Sequence, residues 1–127
     1  MSELLLKSQS NKEASILLFK EKYYHSAVHC AYYGCLQYMI HILKTKNSWT
    51  DDDIQEKIDL LKEGSHIFYI NKINVIINNR NFSSFIGQLK ILRVRADYKS
   101  EMIEAEDCMK SLDYSESIIR MLKTITI

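Results

Sequence analysis

Proline is missing from the chain, and glycine occurs only three times in 127 residues. Tight turns draw on these two residues, so a many-stranded sandwich or barrel would have little to build its connections from. Cysteine is scarce as well. Cys30, Cys35 and Cys108 form an odd set with no repeated spacing, which is not a disulfide framework. Cys30 and Cys35 stand five apart on one expected helix, where their side chains diverge. They read as small buried residues of a reducing compartment. No apolar run approaches the roughly 20 residues of a membrane span, and the apolar core of Met1–Lys7 is too short for a signal peptide. The expectation is a cytoplasmic protein without a membrane partner.

What is present suits one helical domain over residues 1–127. Hydrophobic residues make up 46% of the chain, enough for a core without staples. Net charge is +1, so neither a strongly basic surface nor an acidic tail is expected. The charge is segregated, however. Arg80 to Lys99 holds five bases against one acid, and Glu101 to Glu116 six acids against one base. A bipolar chain of this kind can pair with a copy of itself or with a charged partner.

Helical periodicity fills the chain. A first helix is expected from about Ser2 to Lys22, burying Leu5, Ala14, Ile16, Leu17, Leu18 and Phe19, with a weak point at Ser8–Asn11. A second, from about Tyr24 to Lys44 with Ser26 as a plausible cap, carries Ala27, Ala31, Cys35, Tyr38, Met39, Ile42 and Leu43 at helical spacing. Gly34 inside it costs about 1 kcal/mol against alanine, which close packing of a neighbour would explain. Thr50 caps a short helix to about Lys62, Gly64 suits a left-handed helix end, and Ser65 starts an isoleucine-striped helix. After Asn78–Asn81 comes a helix with the stripe Phe82, Phe85, Ile86, Leu89, Leu92 and Ala96. The last helix is expected from Ser100, with Ile103, Cys108, Met109, Leu112, Ser115, Ile119 and Leu122 inward. The fold class is all-α: an antiparallel up-down bundle of four long helices with one or two short ones.

Candidate chemistry gathers beside the fifth stripe. Arg93 and Asp97 are one turn apart at its edge, where an intrahelical ion pair is worth about 0.2–0.5 kcal/mol. Lys90 and Arg95 add positive charge, and Tyr98 follows. At 3.6 residues per turn Tyr98 lies about 140° around from Arg93, so the two cooperate only through a bend near Lys99 or across a dimer. His25 and His29, with Glu21 one turn earlier, could in principle meet a zinc ion. The zinc-protease signature needs a glutamate directly after the first histidine, and Ser26 stands there, so no metal is expected. Gly34, Gly64 and Gly87 are isolated and form no phosphate loop, no G-x-S-x-G nucleophile turn is present, and no cofactor is expected.

Ala27-Val28-His29-Cys30-Ala31-Tyr32-Tyr33 resembles the A-x-x-x-A-Y-Y pattern of HEPN domains. Leu92-Arg93-Val94-Arg95-Ala96-Asp97-Tyr98 resembles the L-R-x-x-A-D-Y pattern that the superfamily carries before its last helix. Tyr23-Tyr24 before Ser26-Ala27 is similar to its Y-x-x-A-V opening. The resemblance implies an up-down bundle that forms a homodimer. It also implies a toxin–antitoxin, defence or nucleotide-related role, RNA or a nucleotide as ligand, and in some members a minimal nucleotidyltransferase as partner. The family's metal-independent ribonucleases carry an arginine followed four to six residues later by a histidine. Arg93 matches that arginine, but Tyr98 stands where the histidine belongs, and His66 is far upstream. A phenol with a reference pKa of about 10 is a poor proton carrier at neutral pH. The leading expectation is therefore a non-catalytic or weakly active binding module with a phosphate, RNA or partner site at Lys90, Arg93, Arg95, Asp97 and Tyr98. The runner-up is a ribonuclease using Arg93, Asp97 and Tyr98. The third is a purely structural helical dimer.

Overall fold

A computed structural model describes residues 2–126, so Met1 of the opening stretch lies outside the described part. Six helices follow one another: α1 (Glu3–Lys20), α2 (Tyr24–Asn47), α3 (Asp51–Leu61), α4 (Ser65–Ile77), α5 (Arg80–Tyr98) and α6 (Ala105–Leu122). No strand occurs among the described residues. The four long helices α1, α2, α5 and α6 form the antiparallel up-down bundle, with the shorter α3 and α4 inserted between α2 and α5. α2 is its axis and packs against α1, α4, α5 and α6. Tyr32, Cys35, Met39, Ile42 and Leu43 of α2 meet Ile86 and Leu89 of α5 and Ile118 and Leu122 of α6 in the main core.

The contact between α1 and α2 departs from the expected apolar face. Ser8 and Ser15 are the buried residues of α1, whereas Ile16 and Leu17 are exposed, Leu17 by 61%. Backbone proximity explains this. A Cβ on Gly34 would sit 3.3 Å from the Ser8 carbonyl oxygen, so only small side chains fit the seam. The Ser8 hydroxyl donates to the Gly34 carbonyl at 2.6 Å, and Asn11 donates to Gln37 at 2.8 Å. The polar run expected to weaken α1 is thus the part that grips α2, and α1 is continuous through it.

The helix ends follow local hydrogen-bond demand. Ser2 caps α1 by accepting from the Leu5 N–H at 3.2 Å. At its other end Lys22 takes a left-handed φ of 65°, while its N–H bonds the Phe19 carbonyl and the Tyr23 N–H the Leu18 carbonyl. This pair of bonds is a Schellman turn. It leads directly into α2 at Tyr24, which leaves Ser26 inside the helix rather than capping it. Thr50 and Asp53 form the reciprocal cap of α3, at 3.1 and 2.9 Å. The left-handed residue after α3 is Lys62, not Gly64; Gly64 is extended and precedes α4, and Ser65 is already helical. In α4 the buried residues are Phe68 and Ile73, and Ile67 is exposed.

α6 begins at Ala105 rather than Ser100, because the Glu104 N–H finds its acceptor in the Asp107 carboxylate at 3.3 Å. Residues 99–104 are instead a linker between α5 and α6, held down by buried Ile103. The Ile103 N–H donates to His25 Nε2 at 3.3 Å. Met109, expected inward, is exposed.

Ala31 has no exposed surface, and α2 contacts four helices. Ala31→Leu is expected to overpack the interior and lower unfolding free energy by about 1–3 kcal/mol, read from the urea midpoint. An unchanged midpoint would place this face of α2 at the surface.

Candidate functional site

The stripe of α5 sets Arg93 at the edge of the core. Phe82, Ile86, Leu89 and Leu92 are buried, and Arg93 follows them inward with only 6% of its surface exposed. A charge taken out of water needs partners, and three helices supply them. The guanidinium carbon is 4.8 Å from the ring centre of Tyr32 and 5.8 Å from that of Tyr33, both on α2, and 5.6 Å from that of Tyr98. One terminal nitrogen, Nη2, lies 3.3 Å from Nδ1 of His66 on α4. The other, Nη1, lies 3.6 Å from Asp97 Oδ2. The buried Nε has no hydrogen-bond partner among the described residues.

Asp97 is closer to a histidine than to its arginine. Nδ1 of His29 on α2 lies 2.9 and 3.0 Å from the two carboxylate oxygens. The His29 ring packs on Tyr33, with centres 4.6 Å apart, and its side chain is half exposed. The carboxylate therefore fixes the ring through Nδ1 and leaves Nε2 as the atom that can exchange a proton.

His66 occupies the other flank. Arginine can only donate, so Nδ1 of His66 accepts, and the proton of the neutral ring resides on Nε2. The Tyr32 hydroxyl, 2.9 Å away, shares that one Nδ1 lone pair with the guanidinium. Burial lowers the His66 pKa below its ordinary 6.5, helped by the charges of Arg93 and Lys90. Tyr32 is pushed up to about 12, by burial first, with Arg93 opposing, so it is a phenol at every physiological pH. For Arg93, burial works against the charge, but Tyr33, Tyr32 and Asp97 outweigh it and hold its pKa above the ordinary value.

Of the residues expected at the site, Arg93, Asp97 and Tyr98 are together within one chain. α5 runs on to Tyr98 without needing a bend near Lys99, because the long arginine side chain spans the offset. Lys90 acts on His66. Arg95 turns to the other side and faces the linker: its Nε is 3.2 Å from Glu101 Oε2 and its Nη2 3.5 Å from Asp107 Oδ2. Two members were not identified by spacing along α5. His66 is 27 residues before Arg93 and reaches it only because α4 folds onto α2. His29 has Asp97 as its partner, while His25 bonds the linker, so the two do not share one site. The aromatic run Tyr32–Tyr33 beside His29 was the available signal.

Two surface hollows lie away from the cluster. One of about 380 Å³ runs between α1 and α6 past Leu5, Lys12, Tyr38 and Ile119; one of about 190 Å³ lies beside Tyr23 and Met102. No family model, no curated protein and no solved structure matches the chain.

The depressed His66 fixes the sign of one pH effect. The folded state resists protonating this ring, whereas the unfolded chain takes the proton near pH 6.5. The unfolded state thus binds more protons below that value, and stability falls as pH drops through it. Urea unfolding at pH 7.5 and pH 5.5 is expected to show this loss, and His66→Gln is expected to reduce it. An identical loss in the variant would assign the effect to other groups.

Proposed function

We propose that the chain is a HEPN-like binding module whose Arg93 cluster takes a phosphate of RNA or a nucleotide, working as a homodimer in a toxin–antitoxin, defence or nucleotide-related setting. The observation that carries this reading is the state of the Arg93 guanidinium. It is nearly buried, the acceptors around it include His66 Nδ1 at 3.3 Å and Asp97 Oδ2 at 3.6 Å, and its Nε has no hydrogen-bond partner among the described residues. A phosphate supplies what these groups lack, because a guanidinium fork matches its oxygens with paired, charge-assisted hydrogen bonds. The neutral His66 ring, which accepts from the guanidinium through Nδ1, carries its proton on Nε2 and can add one donor. The pattern of motifs along α2 and α5 supports the HEPN assignment, and the opposed charge segments support self-association.

Binding is tested with a fluorescent single-stranded RNA followed by anisotropy. Arg93→Lys keeps the charge and loses the fork, and it is expected to weaken binding about tenfold or more. Equal affinity of the two proteins would remove Arg93 from the site. Light scattering at micromolar concentration is expected to give about twice the 14.9 kDa of one chain; a monomer throughout would overturn the dimer.

One observation favours cleavage as the second reading. The position of Tyr98 argued against a proton carrier, yet the fold sets two imidazoles beside Arg93. His29, oriented by Asp97, can take the proton of a ribose 2′-hydroxyl. The 2′-oxygen then bonds to phosphorus as the bond to the 5′-oxygen breaks, and that oxygen must receive a proton. Neutral His66 is a weak donor for that step, and a phenol is little better, so binding ranks first. RNA incubated with the protein in EDTA is expected to stay intact. Fragments ending in a cyclic phosphate, lost in His29→Ala, would reverse the order.

A further inference from the structure

Three rings stand around the Arg93 guanidinium, and they are not equivalent. Tyr32 is fully buried and bonded to His66. Tyr33 is partly buried and packs against Tyr32, His29 and His66. Tyr98 is 72% exposed, is the last residue of α5, and makes no side-chain hydrogen bond among the described residues. A mostly exposed ring against a nearly buried cation lies on the solvent side of that cation. The negative face of the ring gives the guanidinium part of what an anion would give in full.

We infer that Tyr98 determines access to the Arg93 site: its ring takes the ground a phosphate must occupy, so a ligand competes with a side chain of the protein itself. The inference rests on reading Arg93 as a phosphate site.

The position of Tyr98 suits such a residue. The last turn of a helix opens at little cost, and the Lys99 N–H closing this one reaches the Arg95 carbonyl at a long 3.3 Å. Beyond it the linker is anchored again, at Glu101 by Arg95 and at Ile103 by His25. The freedom is therefore confined to Tyr98, Lys99 and Ser100, and the ring can leave without disturbing α5 or α6. His29 and Asp97, bonded to each other, stay in place when it does.

The test follows the Arg93 Nε–H resonance of 15N-labelled protein, assigned through its disappearance in Arg93→Lys, during titration with inorganic phosphate at constant ionic strength. Wild type, Tyr98→Ala and Tyr98→Phe are compared, each checked for unchanged helicity. Phosphate is expected to shift the resonance in all three. The apparent Kd is expected to fall about three- to tenfold in Tyr98→Ala, the scale of one ring–cation contact, and to stay at the wild-type value in Tyr98→Phe, which keeps the ring. Tyr98→Ala binding phosphate no more tightly than wild type, with the resonance still shifting, would overturn the access role and leave the phosphate site standing. No phosphate-dependent shift in wild type or Tyr98→Ala would overturn both.

Discussion

A buried and incompletely compensated cation ties α2, α4 and α5 together. Withdrawing a guanidinium from water costs several kcal/mol unless charge and hydrogen bonds replace the solvent. Among the described residues Arg93 has one carboxylate within reach, and Asp97 divides itself between that arginine and His29. The remaining compensation comes from ring faces and from the lone pair of His66. Each of these partners sits on a different helix or a different turn, so the arginine holds α2, α4 and α5 in one arrangement. Removing Asp97 would leave the charge without its carboxylate. Removing the arginine would leave a carboxylate and a polar histidine beside apolar packing. The interaction stabilises the assembled site more than it stabilises any one helix.

The central helix α2 makes this possible by offering different surfaces around one axis. On one side Gly34 lets the backbone of α1 come close enough for Ser8 to bond directly to a backbone carbonyl. On another, Cys35 and the Ala31 carbonyl meet Ser115 of α6. A third presents His29, Tyr32 and Tyr33 to α4 and α5. The small residues that first read as a packing seam and the aromatic residues beside them are consecutive in sequence. Close packing on one face therefore fixes the rotation of the helix, and that rotation aims the site residues.

Much of the fold was legible because periodicity and capping are local. The long stripes of α2 and α5 placed their buried faces correctly, and Thr50 with Asp53 marked the start of α3. The failures have physical causes. Ser8 and Ser15 are buried where leucines were expected because backbone proximity, not hydrophobicity, decides the α1 seam. Ser100 looked like a cap, but the Glu104–Asp107 pair offered a better one four residues later. For the site, Arg93, Asp97 and Tyr98 were visible because one helix carries them. His66 was dismissed as distant, since sequence separation says nothing about a contact that a folded-back helix creates.

On the proposed phosphate reading, the proton chemistry of the two histidines favours holding a phosphate over cutting one. Phosphodiester exchange without a metal needs a base and an acid at the same time. His29 can serve as the base, because its Nδ1 is bound to Asp97 and its outer nitrogen is turned away from the carboxylate. The acid is the difficulty. Burial, joined by the positive charges of Arg93 and Lys90, opposes protonation of His66, and the neutral ring is what accepts from the guanidinium. The charge of Arg93 thus helps keep His66 neutral. An incoming phosphate brings negative charge to that same spot and lowers the cost of a second proton there. On that reading, any acid function of His66 depends on a ligand already bound, so cleavage would require binding first.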